Sequence, residues 1–363
     1  MTYPHASFAA SNSSQGFQNY YGEIFSDQRM DRLYIIKGGP GTGKSHFMKA
    51  VSHRARLLGY DVEEFFCSSD PTSLDGIRLC RQDKPTIGLL DGTSPHVREP
   101  NLPGARDEMV NLGAFWDSSR LTKKRERIHQ LADGKSAAYQ NAYAYLRAAG
   151  EVEQVGASLM DACIQKEHLA SLARRLLRNQ PDGDHFEAIP ALRSALGMTG
   201  YTTLHTYERT CSKEGGSLVI LENYLLRGHG SIGAHLTRLL WELSREKRLR
   251  LFVSYDPVHP SVIDGLYYPD TGLCILLGHA EPEEGTPTRA ISLRRYVTPE
   301  ALRPLRGRLR HAASLSGKLV ESATACLGDA AGYHFDLEAI YVDAMDFSAK
   351  EAFTEKFCEK LFD

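Results

Sequence analysis

The stretch LYIIKGGPGTGKSHF, Leu33 to Phe47, decides the fold. An apolar, β-branched run ends in a glycine-rich turn, and a helix-forming run follows at once. Gly38, Gly43, Lys44 and Ser45 match G-x-x-x-x-G-K-[ST] without a mismatch. Gly38, Gly41 and Gly43 let the backbone curl until successive N–H groups point inward. The helix that opens near Lys44 adds its own unpaired donors and the positive end of its dipole. This is a cradle for polyphosphate. Gly38, Gly39, Pro40, Gly41, Thr42, Gly43, Lys44, Ser45 and His46 are therefore expected to hold a nucleotide. Lys44 would reach the β- and γ-phosphates, and the Ser45 hydroxyl would ligate Mg2+.

Beyond the turn, Phe47, Val51 and Leu58 keep helical spacing and Gly59 is a natural stop. VEEFFCSSD, residues 62–70, reads as a second strand ending in Ser68, Ser69 and Asp70, and TIGLLDG, residues 86–92, as a third ending in Asp91. Apolar strands alternating with helices predict a parallel α/β core buried on both faces. From Ala105 to Arg178 the pattern is helical, with a turn expected at AAGE, residues 148–151. Two long helices joined there would form an antiparallel hairpin beside the core or over the nucleotide. The basic run KKRER at 123–127 reads as a solvated helix face.

Comparison of the chain with itself shows a repeat. LFVSYDP at 251–257 resembles EFFCSSDP at 64–71, with Asp70 and Asp256 186 residues apart, and each stretch continues to an Asp-Gly pair, Asp75-Gly76 and Asp264-Gly265. The same spacing sets SLVIL under RLYII and SIGAHLTRLLWELSREK under SHFMKAVSHRARLLG. Val152, Val155, Met160, Leu172 and Leu176 fall over Leu337, Ile340, Met345, Phe357 and Leu361 at a constant 185. Two halves are expected, 1–180 and 190–363, divided in NQPDGDHFEAIP. Each would begin with a docked strand or turn, near Phe8 and Phe17 in the first and at ALGMTGY, residues 195–201, in the second.

The repeat fails at the phosphate loop. ENYLLRGHGS, Glu222 to Ser231, stands over KGGPGTGKS, so that His229 or Gly230 takes the place of Lys44, and bulky Tyr224 and Leu225 replace the early glycines. CILLGHA, residues 274–280, puts Gly278 where Asp91 is. Half two therefore reads as a copy that keeps the fold and has lost the chemistry. His229 and His235 are better read as local hydrogen bonders than as a metal pair.

Composition fits a soluble protein of ordinary surface. The 363 residues carry a formal net charge of −2 and 24% charged side chains, with no basic bias toward nucleic acid. No apolar run is long enough to span a bilayer, and no secretory leader is evident, so a cytoplasmic location without a membrane partner is expected. Cys67, Cys80, Cys163, Cys211, Cys274, Cys326 and Cys358 form no C-x-x-C pair and are expected as reduced, mostly buried hydrophobes.

YIIKGGPGTGKS, CSSDPTSLDG, LLDGTSPHV and PGARDEMVNLGAFWD together resemble a bacterial family with two tandem P-loop NTPase-like halves, described as ATPases or nucleotide kinases of unassigned substrate. The resemblance covers nearly the whole chain. It implies a duplicated three-layer α/β fold with helical additions, binding ATP and Mg2+. In that family the second half commonly looks like it has a phosphate loop of its own. This chain departs there, so one nucleotide site is expected rather than two.

In P-loop folds a carboxylate at the end of an apolar strand reaches Mg2+, and Asp91 is the first choice for it. Asp70 would hold an acceptor hydroxyl or orient water; the alternative is an Asx-turn into Pro71, which its retention as Asp256 favours. Asp75, which survives as Asp264, carries the same caution. His96, Arg98 and Arg106 are candidates to line the site. These residues point to Mg2+-dependent ATP hydrolysis driving a conformational or partner-binding switch, with Lys44, Asp91 and Asp70 as the reacting set. A small-molecule or nucleotide kinase and a non-catalytic ATP-gated scaffold are the alternatives. No [NT]-K-x-D string appears, which favours ATP over GTP, and SLSGK at 314–318 does not continue as an ABC signature would. Gly92 stands where strong ATPases of one class carry a Glu, so slow turnover is expected.

Overall fold

A computed structural model of the chain describes residues 5–204, 222–227, 230–278 and 288–363. It is an α/β protein built on two six-stranded mixed sheets. In half one the strands are β1 (Ala6–Phe8), β2 (Ala10–Ser13), β3 (Gly16–Asn19), β4 (Arg32–Lys37), β5 (Asp61–Phe66), β6 (Leu74–Cys80), β7 (Ile87–Asp91) and β8 (Asp107–Asn111). The helices are α1 (Tyr21–Ile24), α2 (Lys44–Leu57), α3 (Ser118–Lys123), α4 (Arg125–Asp161) and α5 (Lys166–Leu176). Half two has β9 (Glu187–Pro190), β10 (Ser194–Gly197), β11 (Gly200–Thr203), β12 (Glu222–Arg227), β13 (Arg250–Tyr255), β14 (Ile263–Tyr268), β15 (Leu273–Leu277) and β16 (Thr288–Ser292). Its described helices are α6 (Gly230–Glu246), α7 (Pro299–Leu302), α8 (Arg306–Val342) and α9 (Phe347–Phe362).

Sheet one runs β1-β5-β6-β7-β4-β8 and sheet two β9-β13-β14-β15-β12-β16, the same order twice. The expected all-parallel core is corrected at one strand in each: β6 and β14 run against both neighbours. Residues 67–73 and 81–86 are too few for a crossover, which needs a dozen or more, so β5, β6 and β7 form a meander. The expected opening turns are present as the hairpins β2-β3 and β10-β11.

The ladders also correct the spacing of the repeat. Cys67 N–H donates to the Ser73 carbonyl and Asp256 N–H to the Val262 carbonyl, so Asp256 corresponds to Cys67 and His259 to Asp70. Asp75 and Asp264 do correspond, each preceding the glycine that follows a β-bulge. β12 lies between β15 and β16 as β4 lies between β7 and β8, which makes ENYLLR the counterpart of RLYIIK. SLVIL, at 217–221, falls outside the described residues. Tyr224 and Leu225 are strand residues, and the segment from β12 to α6 has fewer residues than the glycine turn between β4 and α2. Leu277, not Gly278, corresponds to Asp91, since Leu277 pairs with Leu226 as Asp91 pairs with Ile36.

The hairpin expected within half one is replaced by one continuous 37-residue helix, α4, running straight through AAGE. A single glycine without proline costs a helix only about 1 kcal/mol. At Gly150 the missing side chain also has a use, since a Cβ there would lie 2.9 Å from the Ser14 Cβ. The antiparallel partner of α4 is α8, another 37-residue helix, from half two. Gly134 faces the Tyr333 ring, and Glu153 accepts from Ser316 Oγ at 2.7 Å. Burial matches α4 to α8 four residues away from the expected register: Leu131, Ala142, Leu146 and Ala149 correspond to Ala312, Ala323, Leu327 and Ala330. Four residues are about one helical turn, which keeps an apolar stripe on its face, so periodicity alone cannot tell the two registers apart.

Each half finishes the other. Phe353 of α9 stacks on Phe47 of α2, Phe357 packs against Phe47 at a tilt and meets Tyr34 of β4 edge-on, and together they close the core of sheet one. Leu169, Leu172 and Leu176 of α5 join Leu236 and Leu240 of α6 in the core of sheet two. The junctions match as well. Asp117 N–H donates to the Ala344 carbonyl at 2.7 Å and Asp346 N–H to the Phe115 carbonyl at 2.8 Å. Their counterparts are Thr298 N–H to the Cys163 carbonyl and Gln165 N–H to the Tyr296 carbonyl, both at 2.9 Å. The opposite face of sheet one carries Tyr21, Ile24, Phe25 and Met30 against Leu33, Ile35 and Leu90. Among the described residues no helix is long and apolar enough to cross a membrane, and six cysteines are free. Cys211 lies outside the described residues.

Candidate phosphate-loop site

β4 and β7 are parallel neighbours, and the loops leaving their C-terminal ends form the site, the usual place for a ligand on such a sheet. The segment after β4 is the glycine turn. Gly41 and Gly43 hold φ of 70° and 77°, left-handed conformations that any side chain would strain. Gly43 precedes α2, so its curl aims the first helical N–H groups at the turn. Lys44 folds back over the turn and donates to the carbonyls of Gly38 at 3.0 Å and Gly39 at 2.8 Å. Its Nζ also lies 3.5 Å from Asp91 Oδ2. Thr42 Oγ1 donates to Gly39 O, and Ser45 Oγ accepts from Leu74 N–H at 2.9 Å, which ties the head of α2 to β6.

Asp91 ends β7. Its Oδ1 accepts from Thr93 N–H at 2.9 Å and from Thr93 Oγ1, which fixes the carboxylate and leaves Oδ2 toward Lys44. Two further buried groups meet it there. Asp75, Asp91 and His96 place one ligand-type atom each within 4.8 Å of the others. Tyr21 Oη donates to Asp75 Oδ2 at 2.9 Å, and His96 Nε2 stands 3.7 Å from the same oxygen. Burial pushes the Asp75 carboxyl up from its ordinary range; His96 opposes that shift and Asp91 adds to it.

The far wall comes from the long helices. A Cβ on Gly39 would lie 3.0 Å from the Tyr341 ring, and one on Gly41 would lie 2.8 Å from both the Glu338 carbonyl oxygen and Val342 Cγ2. The turn is therefore pressed against α8 so closely that only glycine fits. His334 on α8 is held at about 4 by burial and by the positive charges of Lys135 and Lys44, so its ring is neutral near pH 7. Burial, then Lys44, lowers Lys135 on α4. Burial, then Asp70, raises Glu338. Lys350 of α9 is 1% exposed, with Nζ 3.5 Å from where a Gly43 Cβ would be; among the described residues its ammonium has no hydrogen bond or ion pair.

The remaining expected residues divide. His96 joins Asp91. Asp70 forms the Asx-turn, its Oδ1 accepting from Thr72 N–H at 3.0 Å and Thr72 Oγ1 at 2.7 Å, yet its charge acts on His334 and Glu338 across the site. Arg98 turns away: Nη1 lies against Gly22, while its carbonyl accepts from Lys37 Nζ. Arg106 is buried in an ion-pair network with Asp27 and Asp107 that holds the 101–107 loop, and it lines no part of the site. Lys135, His334, Glu338, Tyr341 and Lys350 had no sequence signal, because no motif marks them and their place depends on the exchanged helices. Asp75 did have one, the Asp-Gly pair found twice.

In half two the corresponding ground is filled differently. Asp264 faces Arg193 Nε at 3.3 Å, and Arg193 Nη2 donates to the Leu277 carbonyl. Searches with protein-family models, among curated proteins and among solved structures each found no significant match to this chain.

Proposed function

We propose that this chain is a P-loop NTPase that binds one ATP with Mg2+ at Gly38–His46 and hydrolyses it slowly to drive a conformational switch. The observation that carries the reading is the glycine turn lying between two things at once: Lys44 and Asp91 on one side, and α8 on the other. A polyphosphate seated in the turn would draw Lys44 off the Gly38 and Gly39 carbonyls, releasing Asp91. Ser45 Oγ and Asp91 supply the hard oxygen donors that Mg2+ prefers, and the metal would add charge neutralisation at the γ-phosphate. Any displacement of Gly39 or Gly41 must be felt by Tyr341, Glu338 and Val342, since no free space separates them. The nucleotide state would thereby reach the pair α4-α8.

The kinase reading keeps one observation in its favour. Asp75 and His96 form a buried polar nook beside Asp91, where an acceptor hydroxyl would meet a base. One experiment separates the readings: incubate the protein with labelled ATP, with and without metabolite acceptors, and follow both released phosphate and phosphorylated product. Slow phosphate release without acceptor supports the switch, whereas rapid acceptor labelling supports a kinase. Binding without turnover above a Lys44→Ala control would leave the ATP-gated scaffold.

A further inference from the structure

We infer that Asp75, Asp91 and His96 form a binding site for a first-row transition-metal dication of the Mn2+ or Zn2+ type, occupied without nucleotide. The three side chains are 6%, 10% and 8% exposed, and their ligand atoms already lie within 4.8 Å of each other. A cation with bonds of about 2.1 Å holds its ligands about 3–4 Å apart, so small side-chain rotations close the site.

His96 points to what is missing. Its ring sits between Phe17 and Tyr21, at centroid distances of 5.4 Å and 5.3 Å. Nδ1 is buried without a hydrogen-bond partner, and Nε2 is 3.7 Å from Asp75, beyond hydrogen-bond length. Among the described residues neither ring nitrogen makes a hydrogen bond. An imidazole packed between two rings, with neither nitrogen hydrogen-bonded and Nε2 turned toward a carboxylate, matches the donor set of a metal site. The nitrogen donor selects Mn2+ or Zn2+ over Mg2+ and Ca2+, which take oxygen.

The repeat supplies an independent argument. Tyr20 N–H donates to the Ala9 carbonyl as Leu204 N–H donates to the Arg193 carbonyl, so Ala9 and Arg193 occupy corresponding places. In half two the Asp264 carboxylate therefore faces a built-in guanidinium, with Leu277 in place of a second acid. Half one has alanine where that cation would be, and a second acid as well. Asp91 already faces Lys44, so it is Asp75, the counterpart of Asp264, that has no lysine or arginine beside it among the described residues, and a metal cation there would stand in for Arg193.

The test uses the full chain without nucleotide. Titration with Mn2+, read by calorimetry and by the paramagnetic resonance of free Mn2+, should show one site per chain. His96→Ala and Asp75→Asn should each weaken it at least tenfold, while the His96→Ala change should leave weak Mg2+ binding unaltered. A wild type that binds Mn2+ no better than the Asp75→Asn/His96→Ala double variant would overturn the assignment. Failure of ATP to bind would not, since no nucleotide is present in the titration; metal at the site without ATP binding would sink the NTPase reading alone.

Discussion

Lys44 Nζ stands 3.5 Å from Asp91 Oδ2 while donating to two carbonyls of its own loop. The lysine is thus held in place by contacts a phosphate would replace. Lys44→Ala should weaken ATP binding at least tenfold, because charge-assisted hydrogen bonds contribute about 1.5–3 kcal/mol each and a phosphate left unmatched adds to the loss. Calorimetry on the wild type should give one ATP per chain, and circular dichroism of the variant should be unchanged. Two equivalent sites would contradict the shorter segment between β12 and α6 as the reason half two is silent.

Asp91→Asn keeps the size and the bond from Thr93 but removes the charge facing Lys44. Folding should be little affected and metal-dependent turnover should fall by an order of magnitude or more. Turnover that is unchanged would take Asp91 out of the metal's reach.

His334 gives a signed pH effect. Burial and the charges of Lys135 and Lys44 hold its pKa at about 4, below the ordinary 6.5. A bound polyphosphate brings negative charge and raises it. ATP binding should therefore take up protons at pH values just above 4, with affinity growing as pH falls toward that value. Calorimetry in two buffers of unlike ionisation enthalpy would measure the uptake, and His334→Gln should reduce it, leaving the part contributed by Glu338.

Lys350 is a buried ammonium with its pKa lowered by burial. Its charge costs stability at every pH below the folded value, and that cost is relieved as pH rises toward 10.5. Lys350→Met should stabilise the fold by about 1 kcal/mol or more, seen as a higher Tm. If the same variant binds ATP more weakly, the lysine serves the phosphate beside Gly43; if binding is unchanged, it does not.

Sequence reading located the glycine turn between β4 and α2 because that pattern is local: the glycines, Lys44 and Ser45 lie close together in the chain, and the strands beside them are apolar runs. The place of Asp91 at the end of β7 was legible for the same reason. The direction of β6 was not, since alternation says nothing of strand polarity. The register of α8 on α4 was hidden by the helical period itself. Arg106 looked like a site residue only because Asp27, the partner that occupies it, is far away in sequence. Tyr341 and Lys350 were invisible because they reach the loop through a helix exchange, a tertiary event with no motif.

The exchange predicts its own failure. A chain ending at residue 345 lacks α9 and leaves Phe47, Tyr34 and Phe115 uncovered. It also lacks Asp346, whose carboxylate caps that helix by accepting from Ala349 N–H. Such a chain should aggregate on expression, even though every residue of the glycine turn is present. Co-expressed residues 346–363 should restore little, because the Asp117–Ala344 and Asp346–Phe115 hydrogen bonds need one continuous strand of backbone there.

Synthesis from the N-terminus gives the exchanged helix another consequence. The glycine turn is made roughly three hundred residues before the side chains that wall and floor it, Tyr341 and Lys350. A growing chain therefore carries its glycine turn long before the far wall of the site exists. The first sheet waits with one flank bare until α9 has been made and has left the ribosome, so a chaperone that shields Phe47 and Tyr34 would be needed throughout that interval.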